Sequence, residues 1–324
     1  PVWIWVYYAA LGLVIWARGN WRKLSTTVSK TQNVFARLPA KWVIPALAVV
    51  AVLVWLTAAT MPDDRLRVAF LDVGQGDATL IQKGSQQVLV DGGPSPQAIA
   101  SALSAKMPFW DRTIDLVVLT HPHNDHLAGM VEVLKRYRVK QVLYPASPGE
   151  FSDSELYNEW LRLIEEKGIE DVTAVAGQMI MWGDMVIDVL NPQAIPFSGT
   201  QSDIDNNGAV LRLKMGNISF LLTSDVMREA EFELIAQRAS LASIVLKAGH
   251  HGADTSTTAE FLAVVNPRLA VISAGKGNPF GHPNEGVLNR LAGKLGQKNI
   301  YRTDEHGTIE FTTDGERLWV RMEK

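Results

Sequence analysis

The chain has 324 residues, a formal charge of −3 and no cysteine. Its length suffices to bury a substantial core, and the missing cysteines exclude disulfides and thiolate metal ligands, leaving nitrogen and oxygen donors for any metal. The charge is uneven: residues 1–60 hold six basic side chains and no acid, whereas 61–324 hold 25 basic and 34 acidic ones, a formal −9 that argues against non-specific nucleic-acid binding by a basic surface.

Val2–Ala17 is apolar and carries Trp3, Trp5, Tyr7, Tyr8 and Trp16. With Pro1 rather than Met in front of it, and no charged segment before it, it reads as the truncated end of a membrane span in a longer chain. Trp42–Thr60 runs nineteen residues without a charge, enough to cross ~30 Å of hydrocarbon, with Trp42 and Trp55 toward its ends as interfacial anchors. The loop between them holds Arg18, Arg22, Lys23, Lys30, Arg37 and Lys41. Such a loop stays on the cytoplasmic side, which places everything after about Met61 outside. The expected organisation is therefore the end of a membrane domain over 1–60 (span 1–17, basic loop 18–41, transmembrane helix 42–60), then a second domain over 61–324.

From Arg65 the pattern changes to short strands alternating with amphipathic helices. Leu66–Leu71, Ala78–Gln82 and Gln87–Val90 read as strands, Pro96–Lys106 as a helix, and Ile114–Leu119 as a buried strand. Met130–Tyr137 suits a helix and Gln141–Tyr144 a strand. Ser152–Lys167 reads as a helix opened by a Ser152/Glu155 capping box and closed by Gly168. Ala209–Lys214 and Ile218–Leu222 form a hairpin, followed by a helix over Arg228–Arg238, a strand over Ser243–Lys247 and a helix over Thr257–Val265. A strand over Leu269–Ser273 and a helix over Glu285–Leu295 precede closing strands from Ile300 to Met322. Two blocks of strands with helices predict a layered α/β sandwich. There is no repeat of 20–50 residues, and the GQGD stretch opens no helix, so it fails as a dinucleotide loop.

Three of the seven histidines sit in THPHNDH, straight after a buried strand. Alternate residues of an extended segment point the same way, so His121 and His123 converge on one ion, and a turn after them lets Asp125 and His126 face a second. Imidazole with carboxylate suits Zn, Mn or Fe better than Mg or Ca. Asp225 ends a strand where a carboxylate can bridge two metals; its rival role is to cap the next helix with Ser224. His250 and His251 in KAGHHG follow another strand, and at least one is a candidate ligand. Two metals ~3.5–4 Å apart activate water and clamp both oxygens of a phosphodiester displacement.

The segments FLDVGQGDATLI, LVDGG, LTHPHNDHLAG, DNNGAVLRL, FLLTSD, LKAGHHG and SAGKGNPFGHPN resemble, in that order, the C-terminal domain of ComEC-type DNA-internalisation proteins, and HPHNDH resembles the metallo-β-lactamase signature. The resemblance covers about 65–315. It implies a four-layer metallo-β-lactamase αβ/βα sandwich preceded by transmembrane helices, with two divalent transition metals, Zn or Mn. It assigns His121 and His123 to the first metal, Asp125 and His126 to the second, and Asp225 to the bridge. His250 is the preferred last histidine ligand and His251 the fallback. Asp91 matches a supporting aspartate behind the ligands. Apart from the resemblance, Asp77 of GQGD is a candidate for holding the site loops by accepting backbone hydrogen bonds.

The histidine that many members supply between the first motif and the bridge is missing. Asp205-Asn206-Asn207 lies in its place, with Asn206 and Asn207 as weak amide ligands or an ordinary turn, and Ala209 where the pattern has Ser. His282 is a candidate for contacting phosphate or giving a proton, with Asp125 and Asp225 as its catalytic companions; otherwise it is a loop histidine. Lys247 and Lys276 are candidate phosphate contacts. The implied function is a hydrolase of single-stranded DNA beside an uptake channel, in a multi-pass plasma-membrane protein with the hydrolase domain outside, working with other competence proteins. The alternatives are a weakly active or inactive DNA-guiding scaffold, or a hydrolase of a small ester or lactone.

Overall fold

The computed structural model describes residues 64–108, 110–146 and 153–324, together with Pro45, residues 47–52, Val54 and Trp55. The chain divides into two compact units, Pro1–Met61 and Pro62–Lys324. In the first, every described residue is helical and exposed, including Leu47, Val49 and Trp55. The expected span over 1–17 and loop over 18–41 lie outside the described residues, as does much of the expected helix 42–60. Among the described residues no helix is long and apolar enough to cross a membrane.

The second unit is built on two sheets. Strands β1 (Leu66–Phe70), β2 (Thr79–Lys83), β3 (Gln86–Val90), β4 (Thr113–Val118), β5 (Arg138–Pro145) and β6 (Glu170–Ala174) belong to one. Strands β7 (Met179–Trp182), β8 (Met185–Asn191), β9 (Val210–Met215), β10 (Ile218–Leu222), β11 (Val245–Lys247), β12 (Leu269–Ile272) and β13 (Ile300–Arg302) form the other. The closing strands β14 (Ile309–Thr313) and β15 (Leu318–Met322) return to the first, giving the orders β15-β14-β1-β2-β3-β4-β5-β6 and β13-β12-β11-β10-β9-β8-β7. Pairing is parallel along β3 to β6 and along β10 to β13, and antiparallel along β7 to β10.

Strand alternation makes the layers. Leu66, Val68 and Phe70 of β1 point into a core shared with Leu211 and Leu213 of β9 and Phe220 of β10, where Phe220 meets Phe311 edge-on at 5.8 Å. The intervening Ala69 faces the other way, toward Ile99 and Leu103 of α1 (Pro96–Lys106), Met130 of α2 (Asn124–Arg136) and Trp160 of α3 (Glu155–Lys167). On the second sheet, Leu221 and Leu246 face Leu234 of α5 (Arg228–Ala236), Phe261 of α6 (Ala259–Val265) and Leu291 of α7 (Glu285–Leu295). Each such side chain, fully buried, contributes ~1.5–3 kcal/mol. The result is helix, sheet, sheet, helix. Two one-turn helices, α4 (Asp203–Asn206) and α8 (Thr303–His306), complete the unit.

Several boundaries differ from the sequence reading. β6, β7 and β8 lie in the stretch between Gly168 and Ala209, for which the sequence predicts no element. α3 starts at Glu155, capped by Ser154, whose hydroxyl accepts from Tyr157 N at 3.3 Å. Ser152 lies outside the described residues, and Tyr157 in place of an acid at the third position leaves no capping box. α2 starts at Asn124, not Met130, so the second half of the histidine motif is helical.

Candidate metal centre

Six of the seven histidines lie around one site at the C-terminal ends of parallel strands, where loops of an open α/β sheet converge. Asp91 follows β3, His121 follows β4, Asp225 follows β10, and His250 and His251 follow β11. His123 is the N-cap residue of α2, which places Asp125 and His126 in that helix's first turn. A close contact fixes the helix there: a Cβ on Gly129 would lie 1.8 Å from Gly92 O. Gly92 N donates to His126 O at 2.8 Å and Gly129 N to Gly93 O at 2.9 Å.

Two groups of donor atoms result. In the first, His121 Nε2 lies 3.1 Å from His123 Nδ1 and 3.4 Å from Asp205 Oδ1, and His123 Nδ1 lies 3.1 Å from Asp205 Oδ1. In the second, Asp225 Oδ2 lies 3.2 Å from both His126 Nε2 and His251 Nε2, and Asp125 Oδ2 lies 3.1 Å from His251 Nε2. The donor atoms within each group all lie within 4.8 Å of one another. Asp225 Oδ2 is also 4.0 Å from His121 Nε2, so it stands between the groups.

Behind these atoms, further residues fix the rings. His126 Nδ1 meets Asp91 Oδ2 at 2.8 Å, and Asp91 also accepts from Thr120 N and Thr120 Oγ1. His251 Nδ1 lies 3.0 Å from Ser273 O and 3.3 Å from Asp77 Oδ1. Asp77 pairs with the buried Lys247, whose Nζ donates to Ser224 O at 3.1 Å and lies 3.6 Å from Asp225 Oδ1. A ring nitrogen held from behind presents its other nitrogen to the centre. The backbone is strained where it must be: Asp91, Ser224, His250 and His251 all have positive φ, between 46° and 60°.

The electrostatics separate the histidines. Burial drives His121 down to about 3, helped by the neighbouring His126, so it is neutral at physiological pH. Burial also opposes charge on His126 and His251, but Asp225 overrides it at both, with Asp91 at His126 and Asp77 at His251, and holds them well above the ordinary histidine value. Burial pushes the Asp77 carboxyl up, and Lys247 and His251 more than reverse that, to about 2. In Asp225 the same two histidines outweigh burial and keep the carboxylate ionised.

Several placements differ from the sequence reading. The ring in the second group belongs to His251; His250 Nε2 stays 3.9 Å from Asp225 Oδ2, and its side chain is partly exposed. Asn206 and Asn207 do not point into the centre. Asn206 Oδ1 accepts from Met227 N, and the Asn207 side chain bonds Phe197 N and O. Their neighbour Asp205 takes the position instead, presented by a turn capped by Ser202. The signal was an acid in the first turn after a Ser, in the very segment singled out. Lys247 is buried in an ion pair and not free to meet a phosphate, whereas Lys276 is exposed on the loop after β12. Neither Ser224 nor Asp225 caps α5, whose N-cap is Met227. His282 stands beside the centre, its ring 5.7 Å from that of His250 and 6.5 Å from that of His251.

Sheets packed face to face with helices outside, and histidine–aspartate groups at the strand ends, define a metallo-beta-lactamase-type fold, and residues 71–203 match the family model of the metallo-beta-lactamase superfamily. The metallo-beta-lactamase fold protein YhfI of Bacillus subtilis shares this fold: TM-score 0.50 and 12% identity, covering 79% of this chain and 100% of that one. In sequence the domain is similar to parts of two longer bacterial proteins. It is 30% identical over 261 residues to ComE operon protein 3 of Bacillus subtilis, 75% of this chain and 32% of that protein. It is 29% identical over 254 residues to Competence protein ComA of Neisseria gonorrhoeae, 78% of this chain and 33% of that protein. The chain thus spans about a third of the length of these curated relatives.

Proposed function

We propose that this domain is a two-metal phosphodiesterase that degrades the non-imported strand of DNA during uptake, on the outer side of the membrane. The observation that carries the reading is the position of Asp225: one carboxylate oxygen lies 3.2 Å from His126 and His251 and 4.0 Å from His121, between two sets of nitrogen and oxygen donors. In this assignment His121, His123 and Asp205 would hold one ion and Asp125, His126 and His251 the other, with the Asp225 carboxylate between the two groups. The residues present fit such a pair. The donors are imidazole and carboxylate, as Zn or Mn requires, and Asp225 Oδ1 is buried without a hydrogen bond. The name of one relative, Competence protein ComA, supports a role in competence.

Bound metals would supply Lewis acidity and a water acidified to near-neutral pKa. The protein's own share is orientation and charge. Asp91 and Asp77 hold the rings of His126 and His251 from behind, and Lys247 balances the buried carboxylates. His282 faces the centre half-buried, and burial together with the nearby His250 lowers its pKa. It therefore acts as a neutral hydrogen-bond donor to a phosphate oxygen rather than as a cation.

The test is cleavage of an end-labelled single strand by the full chain loaded with Mn or Zn. Metal-dependent cleavage, lost in His123→Ala, is expected. Metal-loaded, folded protein that leaves DNA intact refutes the reading, and hydrolysis of a lactone alone would move the activity to small esters.

A further inference from the structure

We propose that Phe280 is a stacking platform for a nucleobase of the strand held at the centre, with Lys276 on the same loop meeting a neighbouring phosphate. The inference rests on the DNA reading above. Phe280 is 67% exposed, on the loop that carries the chain from β12 to α7. A scattered exposed apolar side chain is ordinary on any surface; the setting of this one is not.

First, the loop is built to hold it out. Gly275 N donates to Gln75 Oε1 at 3.0 Å, and a Cβ at Gly275 would lie 2.6 Å from Gln75 N, so only glycine permits the approach. Asn278 Oδ1 accepts from both Phe280 N and His282 N at 3.1 Å, while Asn278 Nδ2 donates to Gly275 O at 3.0 Å. One asparagine therefore ties both ring-bearing residues to the base of the loop.

Second, the rings form a series leading out of the centre. His282 stacks against His251 at 6.5 Å with planes 28° apart, and Phe280 stacks against His282 at 5.9 Å with planes 26° apart. The last ring is two-thirds open to solvent, beside a histidine next to the donor groups. A single strand bound by its phosphate has a base within reach of that ring. A phenyl ring accepts any base, because every base has a π-face and the ring offers no hydrogen-bonding group. Lys276, exposed on the same loop, places a positive charge near the ring in a domain whose net charge is negative.

The test compares binding of two cleavage-resistant phosphorothioate single strands to the metal-loaded full chain by fluorescence anisotropy, one bearing bases and the other abasic. The base-bearing strand is expected to bind on the order of tenfold tighter. Phe280→Ala should erase that preference and Phe280→Trp should keep it. Lys276→Gln should weaken both strands alike and reduce the salt slope by about 1. Equal binding of the two strands by the wild type, no binding of either, or a preference that survives Phe280→Ala overturns the proposal. A base preference without cleavage of an ordinary strand would instead sink the hydrolase reading and leave the platform standing.

Discussion

The Gly92–Gly129 contact gives a prediction whose sign depends on position alone. A Cβ added at Gly129 would sit 1.8 Å from Gly92 O. A carbon and a carbonyl oxygen need ~3.3 Å, so α2 or the 91–93 turn must move by ~1.5 Å. Both flanks are backbone, bonded from Gly92 N to His126 O at 2.8 Å, so neither yields cheaply. Overpacking costs ~1–3 kcal/mol, and alanine's helix preference returns up to ~1 kcal/mol. Gly129→Ala should therefore lose about 1–2 kcal/mol net, a fall of ~2–8 °C in Tm for a unit of this size. Because the same shift pulls His126 from Asp91, 2.8 Å apart, metal affinity should also fall ~10–100-fold. The control is Gly293→Ala in α7, where the added Cβ meets nothing within 4 Å and should stabilise by up to ~1 kcal/mol. Urea unfolding of both variants, with metal titration of the first, decides it. If Gly129→Ala is as stable as wild type and binds metal equally well, the helix is not placed by this contact.

Other substitutions separate neighbours that the sequence leaves equivalent. Asp205→Ala should remove one bound metal, whereas Asn206→Ala should keep both and cost ~1–3 kcal/mol by leaving Met227 N unsatisfied, read by metal analysis and denaturation. His251→Ala should weaken the second ion by far more than His250→Ala; equal effects in metal titration would contradict the placement of His251. Without metal, His126 and His251 hold protons at neutral pH because their pKa values are raised, so metal entry must expel them. Apparent affinity should then rise with pH through neutrality, by up to about tenfold per unit for each proton released. Calorimetry in buffers of different ionisation heat should show that release, and identical heats in all buffers would rule it out.

The strand-to-motif logic was legible in the residues: alternation along THPH brings His121 Nε2 to 3.1 Å from His123 Nδ1. One edge of each sheet was not. β6 and β7 are largely exposed or half-exposed, so no apolar alternation marks them, although Met185, Ile187 and Val189 of β8 do alternate into the core. The start of α2 was hidden because its first turn carries site residues instead of an apolar stripe. The choice between His250 and His251 depends on two consecutive left-handed residues, a backbone path that no spacing rule reveals. Asp205 was hidden because three adjacent residues all carry oxygen donors, and only the Ser202-capped turn decides which of them faces the histidines.

Two ions, one on each side of Asp225, are what the donor groups are arranged to hold. The most direct measurement is the metal content of the full chain by mass spectrometry, after loading with Mn or Zn and removal of free ion. Two ions per wild-type chain, one in Asp205→Ala and a marked loss in Asp225→Ala are predicted. A wild-type chain that retains a single ion, unchanged by Asp205→Ala, would contradict the account.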